Sequence, residues 1–386
     1  MPYISREIKD KILKIAHDLH CHPELSEQEV RTTQLLKEQL IRMNIEIIDC
    51  LSSTGVIGLI KGAYPGKTVA LRADIDALPV QEDRTHTICS ENDGIMHACG
   101  HDIHTAALLG AASVLQSLQP SLHGNILLIF QPAEETGSGA NAILKSGIFD
   151  RIKPDAFFSI HVMPNIAAGQ LGARSGSIMA AHIGFEITIS GRGGHGAAPH
   201  NTCDPIIAAA RTVDALQSII ARENDPLSPL VLSVCSIHSG SSINIIPDEA
   251  VISGSCRYLD NSRKQSILQR VEQISSKTAE VHNCHAETKF FRFLPALDNS
   301  PILLPTAQAA ASAVFGEENV LCQSSMMVSE DFALFAQIAP IFMFHMGTGG
   351  PYPLHNSHFC VPEETAIQAA ELFVQSALTY LAEIIL

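Results

Sequence analysis

The segment MHACGHDIHTA, residues 96–106, is the densest collection of metal-binding side-chain types in the chain. Cys99 and His101 stand two apart, with Asp102 and His104 following. A thiolate binds or bridges borderline-soft divalent ions, and imidazole nitrogen suits the same ions. Gly100 allows the tight backbone path that would aim both side chains at one centre. A buried cysteine at a helix start, followed by solvent-facing histidines, would have the same sequence. The short spacing leaves both readings open. His104 suits a supporting or packing duty at least as well as a ligand's.

A second chemical feature is Glu134-Glu135, directly after the apolar run NILLIF and Gln131-Pro132. In an extended segment adjacent side chains point apart, so one carboxylate could bind metal while its neighbour accepts a proton. Two such groups at a buried strand end repel unless cations or donors compensate them. An ordinary acidic loop is the alternative. His161 follows the apolar run FFSI, while His355 and His358 lie in the loop PYPLHNSHF. Each could be a ligand, a core-edge residue or surface polarity. Asp74 and Asp76 in LRADIDALP share one side of an extended segment, where they could bind or orient a ligand. His195 sits in GRGGHGAAPH, which lacks the Gly-Lys-Ser/Thr of a phosphate loop; a flexible hairpin or a substrate contact would both fit.

These residues need elements to carry them. Helices are expected on either side of His22-Pro23, the second opened by a capping box from Ser26 to Glu29. IEIID, GVIGLIKG, TVALRAD, NILLIF and DAFFSIHVMP read as strands, and HTAALLGAASVLQSL as a tightly packed helix. Strands alternating with helices, with polar residues at strand ends, predict an α/β sheet whose site lies along one edge. From near residue 180 the order becomes strand-helix-strand-strand-helix-strand, which suits a small two-layer α+β domain. Beyond it, from about residue 292, helical runs and polar Gly-rich loops return, closing with a long amphipathic helix from about Glu363.

The 386 residues carry a formal charge of -15 and no long basic run, which argues against nucleic acid as a partner. The N-terminal segment lacks a secretory h-region, and LSPLVLSVCSI and ALFAQIAPIFMF are too interrupted to span a membrane. The ten scattered cysteines suit reduced, individually buried thiols in the cytoplasm.

Taken together, His20 with PELS, RADIDALP, MHACGHDIHTA, QPAEE, the histidine of HVMP, GRGGHGAAPH, SINIIPDEAVISGSCR, SEDFA, GTG and LHNSHF run through nearly the whole chain. In this order they resemble the M20 metallopeptidase family. The likeness is to its amidohydrolase branch of hippurate hydrolases, auxin-amino-acid conjugate hydrolases and N-acyl-amino-acid amidohydrolases. The resemblance implies an α/β catalytic domain in two segments, residues 1–180 and 292–386, around an inserted α+β lid, residues 181–291, that commonly mediates dimerisation. It also implies two divalent ions (zinc, manganese, cobalt or nickel) held by Cys99, His101, Glu135, His161 and His355. Cys99 occupies the place of a bridging aspartate, and Asp74 that of a metal-binding histidine, of other branches. Glu134 matches the general base, Asp76 the aspartate supporting the site, and His195 the lid histidine that polarises the substrate carbonyl. Asn244 and Arg257 fall in motifs associated with the substrate's end. The implied reaction is hydrolysis of N-acyl amino acids. His182, Ser357, His358 and Pro362 depart from the usual pattern without removing a proposed ligand. Two rivals remain: Cys99 as a nucleophile activated by a histidine, and a non-catalytic protein that binds a small molecule or partner on the same fold. A serine hydrolase fits poorly, since no G-x-S-x-G elbow occurs.

Overall fold

Helices α1 (Arg6–Cys21) and α2 (Val30–Arg42) flank the break at His22-Pro23. The computed structural model describes residues 3–48 and 53–382, so Asp49 of the expected IEIID strand and Cys50 lie outside the described residues. The capping box does not form. Glu29 stands at the N-cap of α2 without a side-chain cap bond. The carboxylate of Glu24 instead accepts the N–H groups of Arg31 and Thr32 at 2.9 and 2.8 Å. It does the work of a cap from five residues upstream. Ser26 and Glu29 are claimed by tertiary partners, as described below.

Two compact units emerge. The first comprises Met1–Gly176, Asp298–Ser324 and Asp331–Leu386, and the second Ser177–Leu297 with Ser325–Glu330. The first is built on β1 (Glu46–Ile48), β2 (Val56–Lys61), β3 (Tyr64–Asp74), β4 (His123–Gln131) and β5 (Ala156–Met163), with α3 (His101–Ser117) after β3. Its eight-stranded sheet runs β1-β2-β4-β3-β5, then Ile341–Gly347, Leu171–Gly172 and Val320–Leu321. β4, β3, β5 and Ile341–Gly347 are mutually parallel, so their carboxyl ends emerge at one edge. That edge is where open α/β sheets collect ligand-binding residues.

Local pattern predicts helical runs and loops beyond residue 292, yet Ile341–Gly347 is a strand. All seven of its residues are buried. A parallel strand covered on both faces shows no polar alternation to reveal it. The helix Glu363–Ala382 packs on α3 and α1, with Ala366, Ala370, Phe373 and Ala377 in the same core as Ala107 and Ala111. Small residues on both helices let their backbones approach.

In the second unit four antiparallel strands follow the order Leu230–Ser239, Glu249–Tyr258, Ala181–Ser190, His285–Leu294. Ile183, Phe185, Ile187 and Ile189 alternate onto one face. Helices Pro205–Ser218 and Lys264–Val281 cover that face with Ala208, Leu216 and Val271. This is the expected α+β pattern. Among the described residues, no helix is long and apolar enough to cross a membrane. Their nine cysteines are all free, but only Cys99, Cys256 and Cys284 are buried, so burial is not the general rule expected for them.

Candidate metal centre

The centre is assembled where β3, β4 and β5 end. Gly100 has φ +81°, and a Cβ there would lie 2.5 Å from Val162. Only glycine combines that left-handed turn with so close an approach. The turn brings Cys99 and the first residue of α3, His101, into the same interior. Cys99 Sγ stands 3.5 Å from His161 Nε2, which β5 delivers two residues before its end.

Hydrogen bonds sort the histidines. His101 Nδ1 lies 2.9 Å from the Asp76 carbonyl and 3.2 Å from Asp76 Oδ1, leaving Nε2 buried without a hydrogen-bond partner. His161 Nδ1 donates to Val162 O at 2.8 Å, so in the neutral ring Nε2 presents its lone pair toward Cys99. His104 is different. Nδ1 meets Asp74 Oδ1 at 2.6 Å and Nε2 accepts the Val162 N–H at 3.0 Å, so both nitrogens are occupied. It ties the end of β5 to Asp74 and has no lone pair left for an ion. Of the pair in the C-terminal loop, His355 Nε2 lies 3.5 Å from Glu135 Oε1, whereas His358 pairs with Asp83 at 3.1 Å.

Glu134 and Glu135 occupy a tight turn rather than the expected extended segment. Ala133 has φ +53°, and the Gly137 N–H returns to Glu134 O at 2.7 Å. The turn is closed by its own backbone, the Gly139 N–H reaching Ala133 O at 3.1 Å, and is tied to a distant residue through the Glu135 N–H on Asp76. Glu134 Oε1 accepts the Asp331 N–H at 3.4 Å. Glu135 Oε1 is buried without a hydrogen bond. Burial pushes the Glu135 carboxyl up to about 7, against the pull of His101 and with help from Asp76.

Asp76 links these pieces. Its carboxylate faces His101, accepts the Glu135 N–H at 3.0 Å, and accepts the Ser26 hydroxyl at 2.6 Å. Asp74 is wholly buried; burial opposes its charge, but His101, His104 and Arg72 hold its carboxyl well below the usual range. Arg72, also fully buried, donates to Asp74 at 2.7 Å and to Asp331 at 3.0 Å. Ser26 and Arg72 were not singled out as site residues from sequence. Their only signal was membership of PELS and RADIDALP.

The ligand-type atoms of Cys99, His101 and His161 lie within 4.8 Å of one another, as do those of Cys99, Glu135 and His355. The two triads meet at Cys99 and form two candidate sites for divalent ions. The chain's own chemistry fits such ions. A thiol, three imidazoles and a carboxylate are suitable donors, and two of the buried side-chain atoms without hydrogen bonds, His101 Nε2 and Glu135 Oε1, belong to these triads. His101, Glu134 and Glu135 form a further cluster at the same place.

The remaining sequence candidates belong to the second unit. His195 and Asn244 share a short ribbon, Gly194–His195 paired with Ile245–Ile246, and Asn244 O accepts the Gly196 N–H at 2.8 Å. His195 is exposed, and its Nδ1 accepts the Ala197 N–H at 3.0 Å. Arg257, on the strand beside His182, donates to Met327 O at 3.1 Å.

The profile of peptidase family M20/M25/M40 matches residues 70–379. The chain is 38% identical to an N-acetylcysteine deacetylase of Bacillus subtilis, over 97% of this chain and 98% of that protein. It is 34% identical to a hippurate hydrolase of Campylobacter jejuni, again over 97% and 98%. A crystal structure of the Bacillus subtilis YXEP protein, a dinuclear metal binding peptidase from the M20 family, superposes with TM-score 0.87 at 34% identity, covering 98% of this chain and 99% of that one.

Proposed function

The chain belongs to peptidase family M20/M25/M40, and from that premise we propose that it hydrolyses N-acyl amino acids, releasing a carboxylic acid and an amino acid. The observation that carries this reading is the pair of triads meeting at Cys99, with Glu134 beside Glu135 on one turn. We assign Cys99, His101, Glu135, His161 and His355 to holding two divalent ions. When bound, such ions supply positive charge that acidifies water and polarises a carbonyl oxygen. Zinc, manganese, cobalt and nickel all suit this donor set.

Glu134 takes a proton from the attacking water and returns it to the leaving amine nitrogen. The Asp331 N–H at Glu134 Oε1 orients that carboxylate. Asp76 fixes the ring of His101 and the backbone of Glu135 together, so that one support serves two ligands. With Nδ1 accepting from Ala197, a neutral His195 carries its proton on Nε2, where it can donate to a carbonyl oxygen as negative charge develops. Asn244 and Arg257 are assigned to the substrate's end. Relatives named for N-acetylcysteine and for hippurate support acylated amino acids as the class. A cytoplasmic homodimer joined through the second unit completes the proposal.

The test is hydrolysis of a panel of N-acetyl- and N-benzoyl-amino acids, with metal content measured before and after chelation. Turnover lost on chelation and restored by added metal is expected. Turnover that survives complete metal removal would overturn the reading.

A further inference from the structure

Glu29 is a fully buried carboxylate that the proposed chemistry does not use. Its Oε1 accepts the Ala133 N–H at 2.8 Å, and its Oε2 accepts the Thr54 hydroxyl at 2.8 Å. Ala133 immediately precedes Glu134. Its φ of +53° places an L-residue with a Cβ in the left-handed region, where the backbone is strained. A glycine would adopt this conformation freely, but the chain has alanine. Something must therefore hold it there. The hydrogen bonds that close the turn, Gly137 N–H to Glu134 O and Gly139 N–H to Ala133 O, begin at or after Ala133 carbonyl and leave its N–H to Glu29. Glu29 also stands at the start of α2, so the carboxylate is anchored on a rigid element and gives up the capping role its spacing suggested.

We propose that Glu29 is a positioning residue, whose carboxylate holds Ala133 left-handed and thereby sets the direction in which Glu134 and Glu135 leave the turn. The inference rests on the role assigned to Glu134 above. Without the clamp, Ala133 relaxes toward an ordinary backbone conformation and the base is aimed correctly only part of the time. kcat falls by the lost fraction of competent turns, because the chemistry in a correctly formed turn is unchanged.

The experiment compares metal-loaded wild type, Glu29→Ala, Glu29→Gln, and Glu29→Ala combined with Ala133→Gly. It reads kcat, KM, metal content, thermal midpoint and hydrogen exchange at the Ala133 amide. Glu29→Ala is expected to lower kcat about tenfold, the factor corresponding to left-handed strain at one residue. Adding Ala133→Gly should recover several-fold in kcat while leaving the thermal midpoint no higher, since glycine removes the strain but loosens the chain. A purely structural Glu29 would give no such recovery, and that result overturns the proposal. Glu29→Gln retains a neutral acceptor of the same shape, so it keeps the fold and should speed Ala133 exchange with at most a threefold loss of kcat, neutral acceptors being weaker. Unchanged exchange in Glu29→Gln would overturn the clamp even if Glu29→Ala fails to fold. Absence of wild-type turnover would count against the proposed function alone, because the exchange measurement does not depend on activity.

Discussion

Replacing Glu134 by glutamine separates the two neighbouring carboxylates by function. Glu134 is 9% exposed, and its Oε1 faces the Asp331 N–H at 3.4 Å. Glutamine has the same shape and keeps a carbonyl oxygen for that contact, so the turn should stand unchanged. An amide cannot take up the proton of the attacking water. General acid–base groups contribute about 10²–10⁴ in rate, and the variant should lose kcat by that factor, about 3–5 kcal/mol of barrier. KM should change little, because Glu134 contributes to the transition state rather than to holding the substrate. Metal stoichiometry should remain that of the wild type, since all five assigned ligands are intact.

The neighbouring substitution supplies the control. Glu135 Oε1 lies 3.9 Å from His101 Nε2 and 3.5 Å from His355 Nε2, among the ligand-type atoms. Glu135→Gln should therefore lose metal first and activity as a consequence. The assay is steady-state hydrolysis of an N-acyl amino acid at saturating metal, with metal content measured on the same samples. Glu134→Gln turning over within tenfold of wild type would refute the assigned base. Loss of metal from Glu134→Gln equal to that from Glu135→Gln would refute the division of labour between them.

Cys99→Ala should weaken metal binding by about tenfold or more, because both triads lose their common member; unchanged stoichiometry under competition with a chelator would contradict this. His355→Ala should lower metal affinity and turnover, whereas His358→Ala, which removes a partly exposed pair with Asp83, should leave both as in the wild type; parallel kinetics and metal titrations on the two variants decide. His20 lies between Asp102 at 2.8 Å and Glu82 at 3.0 Å. Burial disfavours its charged form, but the hydrogen bonds to Asp102 and Glu82 and the two charges outweigh this and raise its pKa from 6.5 to about 11. A raised folded-state value means that this stabilisation is complete below pH 6.5 and is lost as pH rises toward 11. His20→Gln should cost about 3–5 kcal/mol near neutrality by leaving the buried carboxylates without their cation. Denaturant titrations at pH 6.5 and 9.5 should show the gap between the proteins closing at the higher pH, and a constant gap would refute the charged His20.

The alternation of strands and helices around a polar strand-end edge can be read from local pattern, as can the four-stranded sheet of the second unit. Apolar runs and period-two faces are properties of neighbouring residues, and Ile183, Phe185, Ile187 and Ile189 show them plainly. What local pattern cannot supply is which distant group claims a polar side chain. Ser26 and Glu29 have the spacing of a capping box, yet Asp76, 50 residues on, and Ala133, 104 residues on, outbid the helix for them. The strand Ile341–Gly347 escapes detection because burial on both faces erases alternation. His101 and His104 look equivalent in HDIH, separated by one helical step. Only the Val162 N–H on β5 distinguishes them by occupying the second nitrogen of His104.

The 3.5 Å approach of Cys99 Sγ to His161 Nε2 is also the geometry a thiol nucleophile and its base would present. The environment decides between the two uses. A nucleophilic pair needs a thiolate beside an imidazolium. Burial pushes the Cys99 thiol well above its usual range, and the charge of Glu135 adds to the effect. Burial likewise drives His161 well below the ordinary imidazole value, with His104 reinforcing it. Both groups are thus pressed toward their neutral forms, which argues against Cys99 and His161 as an activated pair. A neutral imidazole is the form that binds a cation, and His161 is already in it. The thiol is the group that a divalent ion can deprotonate outright. Divalent ions held by the two triads would account for the burial of Cys99 and would give partners to Glu135 Oε1 and His101 Nε2, whereas a covalent role for Cys99 would leave the latter two unexplained. The distinction is open to direct measurement: mass spectrometry of enzyme quenched during turnover should find Cys99 unmodified, and a substrate-derived acyl adduct on Cys99 that persists in the presence of chelator would overturn the argument.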